Sequence, residues 1–181
     1  LQEMDICLSE LDYIKNELNF KGVQILTNVN GKEISDPIFD PFWEKAEKLG
    51  LVVMLHPLGF SHGERFSGYY FTNVIGNPLD TSVALHYIIF NGLLEKFPNL
   101  KIFAVHGGGF LPAYSGRIDH AWGARKDAKG NLNKLPSEYL SMIYFDTTVF
   151  TRHQLEYLIK IYGDKHIVLG TDYPYDMAEY Y

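Results

Sequence analysis

The chain has 181 residues, of which 46% are hydrophobic and 15% aromatic, a composition typical of a globular protein with a sizeable core. Its formal net charge of -6, with both signs scattered along the chain, disfavours nucleic acid as a partner. The longest apolar runs are far short of the ~20 residues that cross a bilayer, so no membrane segment is expected. The single cysteine, Cys7, cannot form an internal disulfide, and we expect a cytoplasmic protein.

The first 50 residues alternate between helical and extended patterns. Apolar residues recur at helical spacing over residues 3–19, and a run rich in Val, Ile and Leu over residues 20–27 predicts a buried strand. A turn-prone stretch over residues 28–37 follows the strand. The next helix is predicted over residues 39–49, with Gly50 as its left-handed C-cap.

The alternation continues to the end of the chain. A helix is predicted from Asp80, as its cap, to residue 97, and Pro98 stops it. The remaining predicted elements are strand 51–56, strand 100–105, helix 111–125, strand 142–146, helix 152–162 and strand 167–170. Apolar strands joined by helices form parallel sheets, and periodicity alone allows either an open, doubly wound sheet or a (β/α)-barrel. Residues 126–136 are polar and are interpreted as a surface excursion.

Ionisable residues end four of the predicted strands or follow them within two positions. These residues are His56, His106, Asp146 and Asp172. The carboxyl ends of parallel strands meet at one edge of the sheet, so we expect these side chains to point toward one pocket. Imidazoles and carboxylates together suit a divalent cation such as zinc or manganese.

A purely structural reading competes with the metal site. A single histidine after a strand is often only a structural residue, although four ionisable strand ends in succession argue against that reading. Asp146 is followed by two threonines and could simply organise its turn. The glycine run after His106 could suggest a phosphate loop, but it lacks the Lys-Ser/Thr of a P-loop and the spacing of a dinucleotide fingerprint.

Four segments together resemble a known family. They are FKGVQILTNVNG, then LHP at residues 55–57, then FPNLKIFAVHGGGFLPAYSGRID, and finally VLGTDYPYDM. In this order they are similar to the amidohydrolase-related family that contains aminocarboxymuconate-semialdehyde decarboxylase and the aromatic-acid decarboxylases. The resemblance implies a (β/α)8 TIM barrel of the metal-dependent hydrolase type, of which these segments would be strands four to eight.

The resemblance also implies roles for the strand-end residues. His56 and Asp172 would be metal ligands, and His106, with Asp172, would form the catalytic pair beside the metal, His106 handling a proton. The implied ion is Zn²⁺, with Mn²⁺ as the alternative. The family's remaining ligands come from a His-x-His or Glu-x-His pair on the first strand, and this chain has no such pair. We therefore expect residues 1–181 to be a single domain, a fragment of the barrel that lacks the N-terminal strands.

Further residues are candidates for binding the substrate. Tyr69, with His62, Tyr70 and Phe71 in the loop after the LHP segment, could wall an aromatic pocket, although packing against the next helix is an equal alternative. Asp146, at the end of its predicted strand, is also a candidate for contacting the substrate. The expected partner is a small carboxylic acid.

The family assigns a further role to an arginine that matches Arg117. It reaches across a dimer interface toward the neighbour's substrate carboxylate, so the resemblance implies a homodimer, while a surface salt bridge is an equal alternative for Arg117. The leading functional hypothesis is metal-dependent, non-oxidative decarboxylation of an aromatic or unsaturated acid. The alternatives are hydrolysis or hydration by a metal-activated water, and a non-catalytic binding protein descended from such an enzyme.

Overall fold

A computed structural model describes residues 1–60, 64–130 and 132–179. Helices and strands alternate over most of this length, as the sequence predicts. In chain order the elements are α1 (Met4–Asn16), β1 (Gly22–Ile25), β2 (Asn28–Val29), β3 (Lys32–Glu33), α2 (Asp40–Leu49), β4 (Val52–Leu55), α3 (Asn77–Phe90), α4 (Leu93–Lys96), β5 (Lys101–Ala104), α5 (Ser115–Ala124), α6 (Pro136–Leu140), β6 (Tyr144–Asp146), α7 (Arg152–Tyr162) and β7 (Ile167–Val168).

Five strands form one parallel sheet in the order β1-β4-β5-β6-β7. The register pairs Ile25 with Leu55 and Leu55 with Ala104, so these strands end level with one another. Each crossover contains helix, and alternate side chains of the central strands are completely buried. The predicted parallel α/β arrangement is therefore confirmed, and it aligns the carboxyl ends of the strands.

Helix α2, which precedes β4, is held in place by the packing of Trp43 and ends at the C-cap Gly50. Trp43 on α2 is completely buried, and its indole Nε1 donates to the carbonyl of Ile34 at 2.7 Å. Gly50 has φ 62° and donates its N–H to the carbonyl of Ala46. This left-handed C-cap, predicted from the sequence, turns the chain directly into β4.

The helical region before β5 differs from its prediction. The helix begins at Asn77 rather than at Asp80, and a π-helical turn, Thr72–Gly76, precedes it. Asp80 is not a cap, because its buried carboxylate accepts a hydrogen bond from the hydroxyl of Thr27. The predicted single helix is also broken, since Gly92 has φ 74° and separates α3 from α4.

Three shorter elements also depart from the predictions. The predicted turn over residues 28–37 contains a hairpin of β2 and β3, in which Asn30 and Gly31 have φ values of 52° and 76°. Helix α6 begins at Pro136, the last residue of the predicted surface excursion. Strand β7 ends at Val168, two residues earlier than predicted.

A glycine turn after β5 packs directly against the exit of β6. Gly107 has φ 60°, and a Cβ at this position would overlap the side chain of Val149. A Cβ at Gly108, where φ is 78°, would lie 2.6 Å from the ring of Phe145. Glycine is therefore required here both for its conformation and for its small size.

None of the helices in the described ranges is both long enough and apolar enough to span a membrane.

Our first prediction concerns the buried carboxylate of Asp80. Burial raises its pKa, and the hydrogen bond from Thr27 only partly offsets this effect. Because the folded protein holds this proton more tightly than the unfolded chain, its contribution to stability is lost as pH rises through the folded pKa. We expect Asp80→Asn to flatten the decline in unfolding free energy from about pH 4 upward. Urea unfolding across this pH range measures the effect, and the substitution of the exposed Glu44, Glu44→Gln, is the control. Parallel curves of unfolding free energy against pH for Asp80→Asn and the parent would contradict the prediction.

Our second prediction concerns Gly107. Gly107→Ala combines a left-handed backbone with an overlap against Val149, so we expect it to lower the unfolding free energy by about 2–4 kcal/mol. Gly123 on α5 has nothing within 4 Å of an added Cβ, and Gly123→Ala should instead raise stability by up to about 1 kcal/mol. Denaturant unfolding of both variants makes the comparison. Equal effects of the two substitutions on the unfolding free energy would show that Gly107 is not packed tightly against Val149.

Candidate functional site

Three predicted site residues come together at the carboxyl edge of the sheet. They are His56 after β4, His106 after β5 and Asp172 after β7, and one potential ligand atom from each lies within 4.8 Å of the other two. The two imidazole rings have their centroids 5.3 Å apart, with an interplanar angle of 68°. All three side chains are partly buried. Two nitrogen donors and a carboxylate at this spacing suit a divalent cation.

His56 is oriented by its own neighbour. Its backbone N–H donates to the carbonyl of Ile25 at 3.0 Å, which extends the strand ladder by one residue. Its ring Nδ1 lies 2.8 Å from the carbonyl oxygen of Pro57. A carbonyl oxygen can only accept, so Nδ1 carries the proton and the lone pair of Nε2 is left available for a ligand.

Asp146 fixes the backbone on which His106 sits. Its carboxylate accepts hydrogen bonds from the backbone N–H groups of His106, Gly107 and Thr148, at 3.0, 2.7 and 3.2 Å. Asp146 is buried, whereas His106 has an unusual positive φ of 57°. The carboxylate therefore ties the exit of β5 to the exit of β6 and stabilises the turn that presents His106.

The surroundings of His106 favour its neutral form. Burial lowers the pKa of His106, Asp146 opposes this shift, His56 adds to it, and Asp172 again opposes it. Its ring Nδ1 is buried and has no hydrogen-bond partner among the described residues. A buried imidazole nitrogen without a partner suits either metal coordination or proton exchange with a bound molecule.

Asp172 is held in a tight turn beyond β7. It has φ 60°, and its carbonyl accepts the N–H of Tyr175 at 3.0 Å. Two hydrogen bonds fix the preceding residues, because the hydroxyl of Thr147 donates to the carbonyl of Gly170 at 2.9 Å while the N–H of Gly170 lies 3.1 Å from the same hydroxyl. The exits of β6 and β7 are thereby joined, and Asp172 faces His106.

Three adjoining cavities of about 360, 300 and 210 Å³ share His106 and Asp172 in their walls. Two asparagines, Asn73 and Asn77, line two of them, and the side chain of Asn77 also accepts the N–H of Gly59 at 2.8 Å. Both asparagines belong to the π-helical turn or the helix directly after it. Neither asparagine was predicted from the sequence, because apolar periodicity carries no signal for polar cavity residues.

The predicted substrate-binding residues are placed unevenly. Tyr69 is fully exposed, while the adjacent Tyr70 lines the 210 Å³ cavity and its hydroxyl lies 3.4 Å from the carboxylate of Asp176. Arg117 is exposed on α5, and it lines none of the three cavities as the described residues form them. His62 lies outside the described residues.

Comparison with known proteins agrees with this geometry. A family model described as Amidohydrolase matches residues 2–181. Over 180 residues the chain is 37% identical to 2-amino-3-carboxymuconate-6-semialdehyde decarboxylase of Dictyostelium discoideum, covering 99% of this chain and 50% of that protein. The chain thus spans about half the length of this relative.

Solved structures show the same fold. The 5-carboxyvanillate decarboxylase of Sphingomonas paucimobilis superimposes with a TM-score of 0.86 at 28% identity, over 94% of this chain and 53% of that one. A dihydroxybenzoic acid decarboxylase of Polaromonas, solved with manganese and 2-nitroresorcinol, superimposes with a TM-score of 0.87 at 25% identity, over 99% and 57%. The predicted partial TIM barrel is confirmed, and the chain belongs to the amidohydrolase family whose relatives include these decarboxylases.

Proposed function

We propose that the protein catalyses the metal-dependent, non-oxidative decarboxylation of an aromatic or unsaturated carboxylic acid. The observation that carries the proposal is the cluster of His56, His106 and Asp172 in the wall of a cavity of about 300 Å³. The named relatives support the reaction class, since each is a decarboxylase of an unsaturated or aromatic acid. Because the chain spans about half of these relatives, the activity is proposed for the complete gene product.

The donor set supports a divalent cation held by Nε2 of His56 and the carboxylate of Asp172. Zn²⁺ is the ion expected from the sequence, and Mn²⁺, the alternative, is present in the Polaromonas structure. When bound, such an ion supplies positive charge that stabilises negative charge on substrate oxygens. In the neutral ring, the hydrogen bond from Nδ1 of His56 to the carbonyl of Pro57 selects Nε2 as the coordinating nitrogen.

His106 is the proposed proton donor. When the carbon–carbon bond to the carboxylate breaks, its electron pair stays on the substrate carbon and carbon dioxide leaves. The neutral His106 imidazole takes up a proton from solvent, and the resulting imidazolium delivers it to that carbon, which forms the new carbon–hydrogen bond and returns His106 to its neutral form. The three hydrogen bonds to Asp146 support this role, because they hold the backbone of His106 in one position.

The other substrate-binding assignments remain predictions. We propose a homodimer in which the exposed Arg117 of one chain binds a carboxylate in the neighbour's site, since guanidinium binds carboxylate through paired hydrogen bonds. A direct substrate contact by Asp146 would use the hydrogen-bonding capacity left after its three backbone partners. A contact by Tyr69, and a single domain over residues 1–181, also stay predictions.

Release of carbon dioxide tests the proposed reaction. The complete, metal-loaded protein is incubated with 2-amino-3-carboxymuconate-6-semialdehyde, 5-carboxyvanillate and 2,6-dihydroxybenzoate. We expect carbon dioxide from at least one acid, and a loss of about 10²–10⁴-fold in kcat for His106→Asn, which retains a polar side chain but cannot donate the same proton. Hydrated or hydrolysed products without carbon dioxide would instead support the metal-activated water hypothesis.

Metal content tests the proposed ligands separately from turnover. We expect about one divalent ion per chain in the parent protein, and loss of that ion in His56→Ala and in Asp172→Asn. The control is His120→Ala, which removes an exposed imidazole from α5. Elemental analysis after gel filtration measures the ratio. Full metal content in His56→Ala would contradict the assignment, and a metal-free parent protein would favour a non-catalytic role.

A further inference from the structure

Backbone strain is concentrated around the cavities. Among the described residues, seven other than glycine have positive φ: Asn19, Asn30, Tyr69, Tyr70, His106, Phe150 and Asp172. Four of them, Tyr70, His106, Phe150 and Asp172, line the adjoining cavities. Asparagine tolerates this conformation, but a bulky aromatic residue does not adopt it without a constraint. Phe150, with φ 58°, is one such residue to which the proposed chemistry gives no role.

The backbone on both sides of Phe150 is fixed. On one side, the N–H of Thr147 donates to the carbonyl of Val168 at 3.1 Å, and the N–H of Val149 donates to the carbonyl of Thr147 at 2.8 Å. On the other side, α7 begins at Arg152. The chain must change direction within this short segment, so the left-handed conformation is imposed at position 150, where glycine or asparagine would fit more easily.

Core packing does not explain why an aromatic ring is present at position 150. Phe150 remains 47% exposed, and it lies outside the buried hydrophobic cluster of the described residues. It lines the cavity of about 360 Å³ together with His106 and Asp172. An aromatic ring is therefore kept at a strained, half-exposed position beside the proposed reacting groups.

We propose that Phe150 determines specificity by packing its ring against the flat, unsaturated frame of the acid. This inference rests on the proposed function and assigns a residue that selects planar substrates. Aromatic pairs gain stabilisation beyond the area that they bury, whereas a saturated ring of similar size gains only the burial. The exposed part of Phe150 would be covered when the acid enters the cavity, and the strained backbone holds the residue in the cavity wall.

Phe150→Leu tests the selection of planar acids. Dissociation constants are measured by calorimetry with 2,6-dihydroxybenzoate and with cyclohexanecarboxylate, on the complete metal-loaded protein. We expect Phe150→Leu to weaken the planar acid by about 3–10-fold and the saturated acid by less than about 2-fold. The control is Tyr87→Leu on α3, which removes an aromatic ring of similar exposure, 42%, away from the cavities and should leave both constants unchanged. Equal weakening of both acids by Phe150→Leu would overturn the proposal.

Stability separates a binding ring from a packing ring. Phe150→Gly relieves the left-handed conformation, so we expect its Tm to stay within about 3 °C of the parent while the planar acid binds more weakly. Asn30→Gly makes the same kind of backbone change in the β2–β3 turn and should not affect binding. A large drop in Tm for Phe150→Gly, with unchanged binding, would overturn the proposal.

The outcome also distinguishes the two proposals. A parent protein that binds 2,6-dihydroxybenzoate but releases carbon dioxide from none of the three acids contradicts the decarboxylase, while the Phe150 comparison still decides the inference. Carbon dioxide release together with equal losses for both acids in Phe150→Leu contradicts the inference alone. A parent protein that binds neither ring acid overturns the assignment of this cavity to ring-shaped acids, and with it the role of Phe150.

Discussion

The level alignment of parallel strands is the constraint on which the rest of the structure depends. Because β4 and β5 end in register, the residues that follow them, His56 and His106, emerge side by side with ring centroids 5.3 Å apart. Strand β7 lies two positions away from β5 in the sheet, and Asp172 crosses that gap only because the chain continues past β7 in a tight turn. Residues separated by up to 116 positions (172 − 56) thus form one cluster.

Local electrostatics make this cluster chemically distinct from the rest of the surface. Burial lowers the pKa of His106, and a neighbouring imidazole further disfavours its charged form. Asp146 counteracts both effects and at the same time accepts backbone N–H groups. One buried carboxylate therefore both holds the backbone and limits the shift in the pKa of His106, and neither effect requires direct contact with a substrate.

Much of this arrangement could be predicted from the sequence, and the failures have physical causes. Strand-end positions such as His56 and His106 follow from runs of apolar residues, which periodicity detects well. The partner of Asp80 could not be predicted in this way. A carboxylate that caps a helix and a buried carboxylate bonded to Thr27, 53 residues away, look identical in the local sequence. Likewise, Tyr69 and Tyr70 are adjacent tyrosines, and only the backbone conformation determines that Tyr70 lines the cavity.

Irregular backbone in the cavity wall is a second kind of feature that the sequence could not indicate. Asn73 enters the cavity wall through a π-helical turn, an irregularity set by how the chain enters α3 rather than by residue preference. Phe150 is comparable, because its conformation arises where the chain, held to β7 by the hydrogen bond from Thr147 to Val168, turns toward α7. Apolar periodicity carries no signal for either position.

The shared carboxylate of Asp146 has a consequence for how the site discriminates among molecules. Since it bonds to the His106 turn and to Thr148, the two loops are mechanically coupled. An ill-fitting acid that pushes the segment from Thr148 to Phe150 outward would also displace the imidazole that delivers the proton. Poorly shaped compounds that still occupy the cavity would then turn over slowly, so a loss of rate would add to the loss of affinity expected without ring packing.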